Sequence, residues 1–136
     1  MYLVDTSVWV DYLRGSETPP VRILRDLLVG DQIVGVAPII LQEVLQGADS
    51  DERFEKWRKY FTGLCCYTPR DPVASGIEAA RLYQFCRRAG KTRRSSNDCL
   101  IARIAIEYEL VLLHDDRDFE AIAAVAPSLR LYAARQ

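Results

Sequence analysis

The sequence predicts an α/β fold: three layers, with a central, mostly parallel sheet of about five strands covered by helices on both faces. Three observations lead there. Short apolar runs alternate with longer helical ones along the chain. Runs such as YLV and VLL are apolar throughout, which suits strands buried on both sides. No linker, repeat or low-complexity stretch interrupts the pattern, so the 136 residues (1–136) form one domain large enough to bury a core.

The elements follow in order. Tyr2–Val4 reads as the first strand, and Asp5 ends its apolar run at once. Ser7–Leu13 places Val8, Trp9, Tyr12 and Leu13 on one helical face. Pro20–Val29 is the second helix and Gln32–Val36 the second strand. Pro38 opens the helix Pro38–Leu45, and Gly47 closes it. The helix Asp51–Phe61 leads to a third strand, Leu64–Tyr67. The long helix Pro72–Ala89 stops at Gly90. Asn97–Glu107 forms a strongly apolar helix before the strand Val111–Leu113. The helix Asp118–Ala124 and the strand Leu129–Tyr132 complete the order.

Composition narrows the function classes. The chain is 49% apolar and 27% charged, ordinary values for a soluble protein. No apolar stretch approaches the ~20 residues a membrane helix needs. The N-terminus lacks a basic segment followed by a signal-peptide core, so a cytoplasmic protein with no membrane partner is expected. Cys65 and Cys66 are adjacent while Cys86 and Cys99 are isolated, which makes free buried thiols the expectation rather than a disulfide framework. A lone histidine, His114, argues against a Cys/His zinc site. The net charge of −1 carries no global nucleic-acid signal. The stretch CRRAGKTRR, however, holds Arg87, Arg88, Lys91, Arg93 and Arg94 with no acid among them. Such a cluster is a solvated helix end unless a catalytic site lies beside it, in which case it becomes a phosphate-binding candidate.

In parallel sheets ligands bind beyond the carboxyl ends of the strands, and Asp5 stands at such an end. Three further acids are candidates for the same edge: Glu43 in PIILQEVLQG, Asp98 in RSSNDCLIARIAIEYEL and Asp116 in LVLLHDDRDFEAIA. Taken singly each has a structural explanation. Asp5 and Asp98 suit helix N-termini, Asp116 suits a turn or a cap, and Glu43 suits an exposed helix face. Glu43 fits its explanation least well, because Ile39, Ile40, Leu41, Val44 and Leu45 leave little of its helix polar. Carboxylates that converge repel one another unless a cation joins them. An all-oxygen donor set favours Mg2+, with Mn2+ as a substitute, and suits phosphodiester hydrolysis.

Through these stretches the chain resembles the PIN-domain family, and within it the VapC-type ribonuclease toxins of toxin–antitoxin pairs. The matching pieces are VDTSVWVDYLRG, APIILQEVLQG, SSNDCLIARIA and LLHDDRDFEAIA, which with their spacing span essentially the whole chain. The resemblance implies a metal-dependent endoribonuclease restrained by a small cognate antitoxin, commonly a homodimer. It matches Asp5, followed by Thr6 and Ser7, to the family's first acid, and Glu43, Asp98 and Asp116 to the others, with Asp118 and Phe119 completing the last motif. Asp5 and Asp98 are then the expected principal metal ligands, Asp116 completes the cluster, and Glu43 binds a second ion or orients the attacking water. His114 departs from the family, which often has Thr there. A one-residue shift would bring in Asp115, but alignment on the Asp-Phe pair selects Asp116. Trp9, Tyr12, Leu13, Trp57, Tyr60 and Phe61 are core residues or, where exposed, a groove for an antitoxin helix. A phospho-acceptor signalling domain is one alternative, but it needs a lysine after the last strand, where Leu129–Gln136 has none. A haloacid-dehalogenase-like phosphatase needs Asp-x-Asp after the first strand, where this chain reads DTS.

Overall fold

The computed structural model describes residues 1–90 and 96–132. The first half runs β1 (Tyr2–Val4), α1 (Thr6–Leu13), α2 (Pro19–Val29), β2 (Val34–Val36), α3 (Pro38–Leu45), α4 (Asp51–Thr62) and β3 (Cys65–Cys66). The second half runs α5 (Pro72–Arg88), α6 (Ser96–Glu107), β4 (Val111–Leu113), α7 (Arg117–Val125) and β5 (Arg130–Leu131). The outer strands are shorter than their apolar runs. Edge strands carry ladder bonds on one side only, and β3 and β5 keep two residues each.

The sheet order is β3-β2-β1-β4-β5, and every neighbouring pair is parallel. The mostly parallel sheet expected from the sequence is therefore parallel throughout, because each strand-to-strand connection is a helical crossover. Leu3 lies opposite Gly35 of β2 on one side and Leu112 of β4 on the other. Successive strands leave β1 in one direction through β2 and β3, then in the other through β4 and β5. The order thus reverses between β1 and β4. In open α/β sheets that reversal opens a crevice at the carboxyl edge, where ligands bind.

Helices α1 to α4 pack on one another and α5 to α7 pack on one another, with α3 also reaching α6. The core lies between these groups and the sheet. Leu3, Val4, Leu112 and Leu113 are buried, and Trp9 of α1 meets Phe61 of α4 edge to face at 4.8 Å. Those two aromatics are core. Tyr12, Leu13 and Trp57 stay half-buried, and Tyr60 is exposed. Gly35 has a steric reason: a Cβ there would stand 2.2 Å from Cε2 of Tyr67. Only a bare backbone lets the Tyr67 ring lie under β2. Gly90, at φ 77°, takes the left-handed turn that ends α5, as its position in the sequence suggests.

The thiols depart from expectation. Cys86 and Cys99 are buried, but Cys65 and Cys66 are exposed, because the edge strand that carries them is covered poorly. Among the described residues no helix is long and apolar enough to cross a membrane.

Candidate metal centre at the sheet's carboxyl edge

Asp5 is the first residue past β1. Its N–H donates to the Leu113 carbonyl at 2.9 Å, so the backbone of β4 holds it at the crevice. It also caps α1: Oδ2 accepts from Ser7 N at 3.2 Å and from Ser7 Oγ at 2.6 Å. Only 4% of Asp5 is exposed. Burial pushes its carboxyl above the usual carboxylate range, the Ser7 donors pull it back, and the charge of Glu43 pushes it up again.

Asp116 lies just beyond β4 and caps α7, accepting from Asp118 N at 2.9 Å. That turn brings the Asp118 side chain round beside it. Asp98, in the first turn of α6, meets both: one carboxylate oxygen from each of Asp98, Asp116 and Asp118 lies within 4.8 Å of the others. All three are half-buried. Two ionised carboxylates at that separation repel by roughly 3–4 kcal/mol at an effective dielectric of about 20. A divalent cation among them turns this repulsion into attraction. Three hard oxygen donors from two helix starts, with no sulfur or nitrogen in the set, fit a magnesium- or manganese-type ion.

Glu43 is held differently. Its Oε1 accepts from Thr6 Oγ1 at 2.6 Å and its Oε2 from Asn97 Nδ2 at 3.2 Å. The partners sit next to Asp5 and Asp98 in sequence, so Glu43 ties α1 to α6 across the mouth of the crevice. Glu43 is half-buried, at the edge of the wet stripe that the exposed Gln42 and Gln46 mark on α3.

The structure therefore gathers Asp98, Asp116 and Asp118, whereas Asp5 and Glu43 stand outside that trio, Glu43 being joined through Thr6 and Asn97 to the residues next to Asp5 and Asp98. Asp115 is exposed and outside the trio, whereas Asp116 is within it. Sequence reasoning does not single out Thr6, Ser7 and Asn97 as site residues, although the polar neighbours of Asp5 and Asp98 in DTS and SND are the available signal. His114 braces the loop much as a hydroxyl would. Its Nδ1 accepts from Asp116 N at 3.2 Å, and its ring tilts against Phe119. Of the basic cluster, Arg87 and Arg88 end α5 and are exposed. Lys91, Arg93 and Arg94 lie outside the described residues.

A family model described as PIN domain matches residues 2–125. Ribonuclease VapC11 of Mycobacterium tuberculosis is 36% identical over 126 residues, covering 92% of this chain and 93% of that protein. Among solved structures, VapBC2 from Rickettsia felis, bound to a DNA fragment from its promoter, superposes with a TM-score of 0.72 at 18% identity over 96% of each chain. DNA-bound VapBC from Salmonella typhimurium gives 0.71 at 20% identity, again over 96% of each chain. At those identities the two structures speak for the fold alone.

Proposed function

The chain belongs to the PIN-domain family, and from that premise we propose that it is a metal-dependent endoribonuclease, the toxin of a type II toxin–antitoxin pair. The observation that carries the reading is the Asp98–Asp116–Asp118 cluster at the β1/β4 crevice. With one relative named a VapC ribonuclease at 36% identity, the substrate is RNA and the bond cut is a phosphodiester.

Asp98, Asp116 and Asp118 would hold Mg2+, or Mn2+ in its place, with Asp5 next to them. Such an ion supplies charge to the phosphoryl oxygen and an acidified water. The rest is done by the chain. Glu43, fixed through both oxygens by Thr6 and Asn97, orients the attacking water and takes its proton at one of those oxygens. Asp5, buried and hydrogen-bonded to Ser7, adds negative charge at the back of the crevice when ionised. Arg87 and Arg88 lie at the α5 end that leads into Lys91, Arg93 and Arg94, and this basic run tracks the RNA backbone.

The antitoxin partner takes the groove between α1 and α4. Tyr12, Leu13, Arg53, Lys56, Trp57 and Tyr60 line about 430 Å3 there, a mostly aromatic and apolar set with two cations. That lining suits an amphipathic helix with acids at its edge. The homodimer of the family is carried over in the same way, and so is a cytoplasmic site of action.

The test is cleavage of a mixed RNA pool by antitoxin-free protein with Mg2+, with Mn2+ and with EDTA, alongside the Asp98→Asn and Asp116→Asn variants. Discrete cuts that need metal and vanish in folded variants are expected. Undiminished cutting by either variant removes the metal assignment, and no cutting under any condition removes the nuclease.

A further inference from the structure

A second cavity opens where α5 meets α6, and it adjoins the candidate metal centre. It measures about 540 Å3. That is within the ~300–1,000 Å3 typical of small-ligand sites. Gly76, Ala79 and Ala80 of α5 form its floor, three small residues that leave the space open. Tyr83 and Leu100 wall it, and Gln84, Arg87, Ser96 and Asn97 bring polar groups to it. Asn97 is shared between the two sites: its amide donates to Glu43, and Asp98 follows it in the chain.

We infer that this cavity receives one unpaired base of the RNA, flanking the phosphate that is cut, and so sets the nucleotide preference of the enzyme. The inference rests on the ribonuclease reading and deepens it. Single-stranded RNA is recognised by splaying out a base, laying it against an aromatic or apolar wall and reading its edge with hydrogen-bonding side chains. The cavity offers each part: an aromatic wall in Tyr83, an apolar one in Leu100, and amides able both to donate and to accept in Gln84 and Asn97. Charge favours the same occupant. Arg87 sits in the lining and Arg88 follows it, placing cations where the sugar–phosphate attached to a docked base must pass. Asn97, which lines the cavity, bonds Glu43 and precedes Asp98, makes that base a near neighbour of the scissile bond.

The experiment uses one single-stranded RNA with an abasic position walked through it, against the wild type and Gly76→Leu. A Cβ at Gly76 meets nothing within 4 Å, so a side chain there starts in open space at the cavity, and circular dichroism of the variant checks that it is folded. Binding is measured by fluorescence anisotropy in EDTA, and cleavage in Mg2+. In the wild type, one abasic position near the cut is expected to weaken binding and kcat/KM about ten-fold, the scale of one lost base–aromatic stack. In Gly76→Leu the intact RNA loses the same factor, and the abasic walk becomes flat. Gln84→Ala, a change on an exposed side chain, shifts which base is preferred. An abasic walk that is flat in the wild type, or unchanged by Gly76→Leu, overturns the inference while leaving the nuclease intact. RNA bound but never cut overturns the nuclease reading instead. If Gly76→Leu turns a dimer into a monomer and keeps the wild-type abasic profile, the cavity belongs to self-association and the inference fails.

Discussion

Replacing Thr6 by Val keeps the shape of the side chain and removes one hydrogen bond, that from Oγ1 to Glu43 Oε1 at 2.6 Å. The bond joins residues 37 apart in sequence and lies in a part-buried site. Hydrogen bonds to charged groups contribute ~1.5–3 kcal/mol, and partial solvation places this one near the lower end. For a chain of this size the expected loss of Tm is roughly 5 °C, read by circular dichroism in the absence of metal. Function should suffer more than stability. Glu43 keeps only the longer bond from Asn97 at 3.2 Å and is free to turn away from the water it orients. Turnover is then expected to fall roughly ten- to hundred-fold, as for comparable misplacements of reacting groups. A double-mutant cycle with Glu43→Ala separates the pair from its surroundings. A coupling below about 0.5 kcal/mol, or a Thr6→Val enzyme with unchanged turnover, refutes the claim that Thr6 positions Glu43.

Three other outcomes are expected. Asp118→Asn should lower metal-dependent cleavage as severely as Asp116→Asn and raise the stability of the metal-free protein, because either change relieves repulsion within the trio; a fully active Asp118→Asn enzyme would leave the trio incomplete as a metal centre. Asp5 titrates above its ordinary value of 3.8 when folded, so its contribution favours folding at low pH and is lost as pH rises from that value through the raised one. Asp5→Asn should abolish that part of the decline and be the more stable protein at neutral pH, and urea midpoints that keep the wild-type pH slope would contradict the burial argument. Gly35→Ala puts a methyl 2.2 Å from the Tyr67 ring and 3.0 Å from the Cys65 carbonyl, so a loss of about 1–3 kcal/mol or more is expected in urea unfolding. A loss under ~0.5 kcal/mol would mean that the Tyr67 ring moves freely.

The amino-acid order by itself determined the local structure. Apolar runs, prolines and capping residues place all five strands and seven helices within a few residues of where they are found among the described residues. Periodicity is a short-range signal, carried by each segment's own side chains. The same signal put Asp5 and Asp116 at strand ends, since a carboxylate cannot continue a doubly buried strand. The basic run in CRRAGKTRR was equally visible, though only Arg87 and Arg88 of its five cations fall among the described residues.

Tertiary structure decided the rest. YLV and VLL look alike as patterns, and nothing local says that β1 and β4 are neighbours or that the strand order reverses between them. That reversal follows from which helices pack together, and it is what converts two separate strand-end acids into one crevice. Asp118 belongs with Asp98 because Asp116 turns the backbone as it caps α7. Glu43 finds its donors 37 and 54 residues away in Thr6 and Asn97. Contacts at such separations depend on how whole elements dock, and helix and strand periods carry no record of docking.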